Sequence, residues 1–346
     1  MATHKKKINV ALQGGGAHGA ITWGVLDRLL EDERLDIEAV SGASAGAVNA
    51  VALAYGLHLG KAEGAREKLA ELWRAISDVG AFYNPMRRMP WEQAAFQSSD
   101  NSVAYQMFDL VTRTFSPYQF NPFDINPLKT VLVRCIDFAE LRKCDRYKTF
   151  LSATNVRSGK IKVFETPELT AEVVLASACL PMLFKAVEIG GEHYWDGGFM
   201  GNPALFPFFY KSESKDVVIV HVTPIDRAEL PTTAPEILNR MNEISFNSSL
   251  IGELRAISFV HRLLDQGLLK DEHRKSFRSI RIHSIRSDDA LEDLSVASKY
   301  DIDFGFLSGL KERGRAVADA WLSDTFDRLG VESSIDIRKL YDGGAG

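Results

Sequence analysis

Five residues, Gly42-Ala43-Ser44-Ala45-Gly46, constrain this chain more than any others in its 346 residues. They separate a short apolar run at 37–40 from an alanine-rich stretch at 45–57 that suits a buried helix. The pattern is G-x-S-x-G, the nucleophile elbow. A sharp strand-to-helix turn lifts a serine hydroxyl to the end of a sheet, and small neighbours leave it room. The helix that follows points its positive end at the place where an oxyanion would develop. Taken as five letters, the same pattern also fits a tight turn with a capping serine.

A second glycine segment lies upstream. The apolar run at 8–12 reads as a buried strand, and Gly14-Gly15-Gly16-Ala17-His18-Gly19 follows it directly. Consecutive glycines let successive backbone N–H groups converge on one point and form an anion-binding nest. The segment contains G-x-G-x-x-G literally, with Asp32 or Asp36 in range for a dinucleotide fingerprint. A cofactor reading leaves the elbow at Ser44 unexplained. An oxyanion hole joined to a nucleophile explains both. A Walker A loop is excluded, because no Gly-Lys-Ser or Gly-Lys-Thr follows.

Strand, helix, strand, helix in this order implies a parallel sheet with helices on its faces. Residues 63–78 form an amphipathic helix with Leu69, Leu72, Trp73 and Ile76 on one side. An irregular, aromatic insertion occupies about 81–127. It is a pocket lining, a lid or simple packing over the sheet edge. Strands are predicted at 150–154 and 161–164 around a Ser158-Gly159 turn, at 217–222 and at 278–285. Helix is predicted over 235–269, and over 306–326 despite Gly309 and Gly314. The expected organisation is a single domain at 8–330, decorated by that insertion, with a short tail at 331–346.

Lys plus Arg is 41 and Asp plus Glu is 46, a net charge of 41 − 46 = −5, which argues against nucleic acid as a partner. Cys135, Cys144 and Cys179 give neither a disulfide framework nor a zinc pattern. Lys5, Lys6 and Lys7 precede too short an apolar run for a signal peptide, and no stretch of 18 apolar residues suggests a membrane span. A cytoplasmic protein is expected, with peripheral contact at the inner membrane surface as a variant.

A serine needs a base at neutral pH. Asp196, in Trp195-Asp196-Gly197-Gly198, offers a carboxylate that flanking glycines can bring close to another loop. The histidines at 18, 193, 221, 261, 273 and 283 are alternatives. The order Ser44, Asp196, His221 matches the nucleophile-acid-histidine order of α/β-hydrolases and stays open on the residues alone.

The sequence resembles the patatin-like phospholipase family. The resemblance rests on the run Gln13 to Gly19, on Gly42 to Gly46, and on Asp196-Gly197-Gly198. The block Ala176-Ser177-Ala178-Cys179-Leu180-Pro181 stands before the aspartate as in that family. It covers roughly 8–210. It implies a three-layer α/β/α sandwich around a mainly parallel sheet, and a Ser-Asp dyad with no catalytic histidine. Ser44 would attack an acyl carbonyl, and Asp196 would take its proton and return it to the leaving group. The amides of Gly14, Gly15, Gly16 and Ala45 would hold the oxyanion, with no metal or organic cofactor.

What the resemblance implies is a serine esterase of lipid metabolism and degradation, cleaving fatty-acyl esters of phospholipids or lysophospholipids. Alternatives are a neutral-ester or thioester hydrolase, an acyltransferase, and a noncatalytic lipid-binding regulatory protein. Two positions depart from the family pattern. Gln13 stands where the family often has aspartate, and His18 where it often has arginine or lysine. His18 is expected to be structural or solvent-facing.

Overall fold

The structure, a computed structural model, describes residues 5–83, 103–227, 229–270, 272 and 277–340. Its strands are β1 (Lys6–Leu12), β2 (Leu35–Gly42), β3 (Lys148–Asn155), β4 (Ile161–Glu165), β5 (Val187–Ile189), β6 (Glu192–Asp196), β7 (Asp216–His221) and β8 (Arg281–Arg286). They form one sheet in the order β5-β6-β3-β2-β1-β7-β8, with β4 paired to β3 off that path. The pairs β1–β2, β1–β7, β2–β3 and β7–β8 are parallel, whereas β4, β5 and β6 run antiparallel to their neighbours. The sheet is therefore mixed but mostly parallel.

Helices cover both faces. On one side lie α1 (Gly19–Glu31), α2 (Ala45–Tyr83) and the late helix Phe304–Thr325. They bury Ile21, Leu26, Leu53, Leu69 and Leu307 against Val10, Val218 and Val220. The long helix Ala234–Asp265 and the short one Phe206–Lys211 pack Leu250, Leu254 and Phe208 on the other side against Val217, Ile219 and Ile282. Alternate residues of β7 thus enter opposite cores, as the two-residue period of a strand requires. All six of its residues are buried, which is why its middle, Val217 to Val220, reads as an unbroken apolar run.

Helix α2 is two helices joined at a kink. Gly60 has φ −144° and Lys61 φ +54°, both outside helical values. The fold returns sharply there, so that a Cβ on Gly56 would lie 2.4 Å from the Ala65 Cα. The predicted helices at 45–57 and 63–78 are the two arms of that kink. The hairpin at 158–159 is also present, with Gly159 at φ +65°. Much of the aromatic insertion, including Trp91 and Phe96, lies outside the described residues, as do the side chains of Phe82, Tyr83 and Tyr105. Its described part holds a helix at Val103–Thr114 and a single helical turn at Pro117–Phe120.

Candidate active site

Strand β2 ends at Gly42 and α2 starts at Ala45, leaving Ser44 as the pivot of a tight turn. Ser44 has φ +55°, a left-handed conformation that is unusual for a non-glycine residue. The two glycines of the motif have separate steric jobs. A Cβ on Gly42 would sit 2.4 Å from the Gly46 carbonyl oxygen, closing the turn on itself. A Cβ on Gly46 would sit 2.1 Å from the Leu12 carbonyl oxygen, where the end of β1 passes.

Asp196 is the last residue of β6, opposite Ala153 of β3. The sequence reading placed it in a loop. Glu192-His193-Tyr194-Trp195-Asp196 is short and carries no clean alternation, so periodicity does not mark it as a strand. Its backbone is held at both ends, the N–H donating to the Cys179 carbonyl at 2.8 Å and the carbonyl accepting from Thr154 Oγ1 at 2.8 Å. The Ser44 N–H donates to the Ser177 carbonyl and Oγ at 3.1 and 3.2 Å. One short segment, 177–179, therefore clamps both the serine and the aspartate. The block Ala176 to Pro181 was legible as a motif, but this bridging role was not.

The Asp196 carboxyl is fully buried. Burial pushes its pKa up to about 7, against the opposing pull of the Gly198 N–H, 2.7 Å from Oδ1, and of the facing Ser44 hydroxyl. Oδ2 has no completed hydrogen bond among the described residues. Ser44 is itself only 7% exposed. The pair is thus a hydroxyl beside a desolvated carboxyl poised near neutrality, the range in which a general base works best.

The glycine segment closes the site from the β1 side. A Cβ on Gly14 would lie 2.5 Å from Ser44 Cβ and 3.3 Å from its Oγ, so glycine alone fits behind the serine. Gly16 has φ +61° and packs against the Lys299 carbonyl. One expectation needs correcting. The Gly14 N–H is not free for an oxyanion, because it donates to Asn202 Oδ1 at 2.7 Å. Within the described residues no hydrogen bond occupies the amides of Gly15, Gly16 or Ala45.

Both departures from the family pattern have local explanations. Gln13 is fully buried; its Oε1 accepts the N–H groups of Val222 and Thr223, each at 3.0 Å. Its Nε2 donates to Asn247 Oδ1 at 3.0 Å and to the Asn202 carbonyl at 3.3 Å. An aspartate could accept as Gln13 does but could not donate. His18 is buried, not solvent-facing. Its Nε2 pairs with Ser298 Oγ at 2.7 Å, and burial lowers its pKa to about 3, helped by Lys299 and Arg227. It is a neutral structural ring at pH 7.

The other histidines stand apart. His221 is buried at the end of β7, held neutral by a pKa lowered to about 4. His283 pairs with Asp216 at 3.0 Å. His193 lies 3.9 Å from Glu188 on the neighbouring strand. No histidine among the described residues hydrogen-bonds Ser44 or Asp196, and His273 lies outside them. Cys179, beside Asp196, has its thiol pushed up to about 12 by burial and is inert as a nucleophile.

A family model described as patatin-like phospholipase matches residues 10–209, more than half of the chain. Among solved structures, the chain is similar to VipD from Legionella pneumophila at 15% identity and a TM-score of 0.43, covering 93% of this chain and 67% of VipD. It is also similar to the type III effector protein ExoU at 15% identity and a TM-score of 0.33, covering 93% of this chain and 54% of ExoU. ExoU in complex with SpcU, from Pseudomonas aeruginosa, gives 15% identity, a TM-score of 0.32, and coverage of 92% and 53%. The chain thus spans only about half the length of ExoU. No curated protein matches it.

Proposed function

The chain belongs to the patatin-like phospholipase family, and from that premise we propose that it is a lipid acyl hydrolase with Ser44 and Asp196 as its catalytic dyad. The observation that carries the proposal is the Ser44 hydroxyl facing a fully buried carboxyl whose pKa stands near 7. Ser44 Oγ attacks the acyl carbonyl while Asp196 accepts its proton. The tetrahedral oxyanion takes hydrogen bonds from the amides of Gly15, Gly16 and Ala45, and the N-terminal field of α2 stabilises its charge. Asp196 returns the proton to the departing alcohol. It then deprotonates a water, whose oxygen bonds to the acyl carbon as the acyl–Oγ bond breaks, and returns that proton to Ser44 Oγ, releasing the fatty acid.

The substrates proposed are phospholipids or lysophospholipids. Supporting this are the family itself and the apolar residues exposed near the same sheet end, among them Met182, Met200 and Phe123. An untargeted lipid digest compared with a Ser44→Ala control tests the reading. A fluorophosphonate should label the wild-type protein once, at Ser44. Full hydrolysis by Ser44→Ala, with labelling elsewhere, would remove the assignment.

A further inference from the structure

The loop that follows Asp196 is tied to β3, to β2 and to the segment just after β1 before it turns away. Ser152 Oγ of β3 donates to the Gly201 carbonyl at 2.7 Å, and Ser41 Oγ of β2 donates to the Ala204 carbonyl at 2.6 Å. Between these ties stands Asn202, fully buried, which reaches the end of β1. Its Oδ1 accepts the Gly14 N–H at 2.7 Å and its carbonyl accepts Gln13 Nε2 at 3.3 Å. Its own N–H donates to Ser249 Oγ at 3.3 Å. The aspartate-bearing loop and the glycine loop are thereby joined through one side chain.

Gly14 is the residue against which Ser44 rests. The next two amides, of Gly15 and Gly16, are the unoccupied ones. Any rotation of the Gly14 peptide would swing them relative to Ser44 Oγ. The other end of the carboxamide adds a second observation. Asn202 Nδ2 is buried and has no hydrogen-bond partner among the described residues. Buried polar groups are ordinarily paired, and an unmade hydrogen bond is costly. Packing alone does not explain a residue that satisfies one end and strands the other.

We propose that Asn202 is a positioning residue for hydrolysis, fixing the Gly14 peptide so that the amides of Gly15 and Gly16 meet the oxyanion formed on Ser44. This rests on the Ser44–Asp196 reading. Asn202 acts through Gly14 and needs no contact with substrate. It predicts damage to the transition state in preference to the ground state, since only the tetrahedral species carries the oxyanion. A misplacement of about 1 Å can cost about 10²-fold in rate.

The test compares Asn202→Ala, Asn202→Ser and Ser249→Ala in the full chain. Ser249→Ala removes a bond to the backbone of the same residue and serves as the structural control. Asn202→Ala should lower kcat about 10- to 100-fold with KM within about threefold. Asn202→Ser leaves room for a water between its hydroxyl and the Gly14 N–H, and should recover part of the loss. Ser249→Ala should keep wild-type kcat. A fatty-acyl trifluoromethyl ketone, which adds Ser44 Oγ at its carbonyl carbon to leave an oxyanion, supplies the second readout. Its inhibition constant should rise by the factor by which kcat/KM falls. Equal kcat in Asn202→Ala and Ser249→Ala, or a loss confined to KM, overturns the proposal. If Asn202→Ala does not fold, Asn202→Ser decides: unchanged kcat and unchanged inhibitor affinity overturn it equally. Hydrolysis surviving in Ser44→Ala would instead overturn the dyad, whatever Asn202 does.

Discussion

At the scale of the residue, Asp196 carries opposed demands. Its pKa is raised by burial from 3.8 to about 7, so the folded state binds more protons than the unfolded chain between those values. Stability from this group is greatest below the unfolded pKa and is lost as pH rises through about 7, where the buried charge must form. Activity in the proposed dyad runs the other way, because a base works only when ionised. We expect kcat/KM to rise with pH through a limb near 7. Asp196→Asn should lose about 10²–10⁴-fold in turnover. It should also melt at a higher temperature than wild type at pH 8, with the gap closing towards pH 4. His221→Ala should keep the limb in place, because that ring is already neutral with a pKa near 4. Loss of the limb in a folded His221→Ala protein would restore the triad order that the sequence left open.

At the scale of the element, the glycines of the late helix Phe304–Thr325 make opposite predictions. A Cβ on Gly314 would lie 2.0 Å from the Ile21 carbonyl oxygen, and one on Gly24 of α1 would lie 1.9 Å from that of Lys311. The two helices cross backbone to backbone there. A Cβ on Gly309 meets nothing within 4 Å. Gly314→Ala should therefore destabilise by about 1–3 kcal/mol, as overpacking does, whereas Gly309→Ala should stabilise by about 0.5–1 kcal/mol. Urea titrations of both variants check the signs. Sequence periodicity found this helix despite its glycines, and found β1, β2, β3, β4 and β7, because long apolar runs and regular spacing survive in one dimension. The antiparallel pair β5 and β6 did not show, being 3 and 5 residues long. In the proposed site, Ser44 and Asp196 are candidates from the sequence alone because glycines flank them. Asn202 and Ser177 accept hydrogen bonds from the backbone of distant segments, Asn202 from Gly14 and Ser177 from Ser44, and that pairing leaves no mark on local spacing.

At the scale of the molecule, Ser44, Asp196 and the glycine loop gather at one end of the sheet. Apolar side chains stand exposed on several elements attached to that end. Segment 115–125 is tied down there, since Lys185 Nζ donates to the Pro122 carbonyl at 2.8 Å and the Ala186 N–H donates to the Tyr118 hydroxyl at 3.3 Å. Phe123 on this segment is 86% exposed, and Met107, Leu110, Ile125 and Met182 are exposed nearby in the chain. Across the site, Phe246 of the helix Ala234–Asp265 stacks edge-on to Phe199 at 5.0 Å, and the same helix exposes Met241 and Ile244. Among the described residues no helix is long and apolar enough to cross a membrane. Surface attachment through such side chains should therefore be shallow and reversible. The net charge of −5 opposes anionic lipid, so we expect pelleting with zwitterionic vesicles, retained in high salt and released by repeated buffer washes. Phe123→Asp should weaken this binding about fivefold, for about 1 kcal/mol of lost apolar burial, and leave hydrolysis of a water-soluble short-chain ester unchanged. Equal loss on both substrates would place Phe123 in the fold or the catalytic site instead of at the lipid surface. Protein that stays on vesicles until detergent is added would refute reversible attachment.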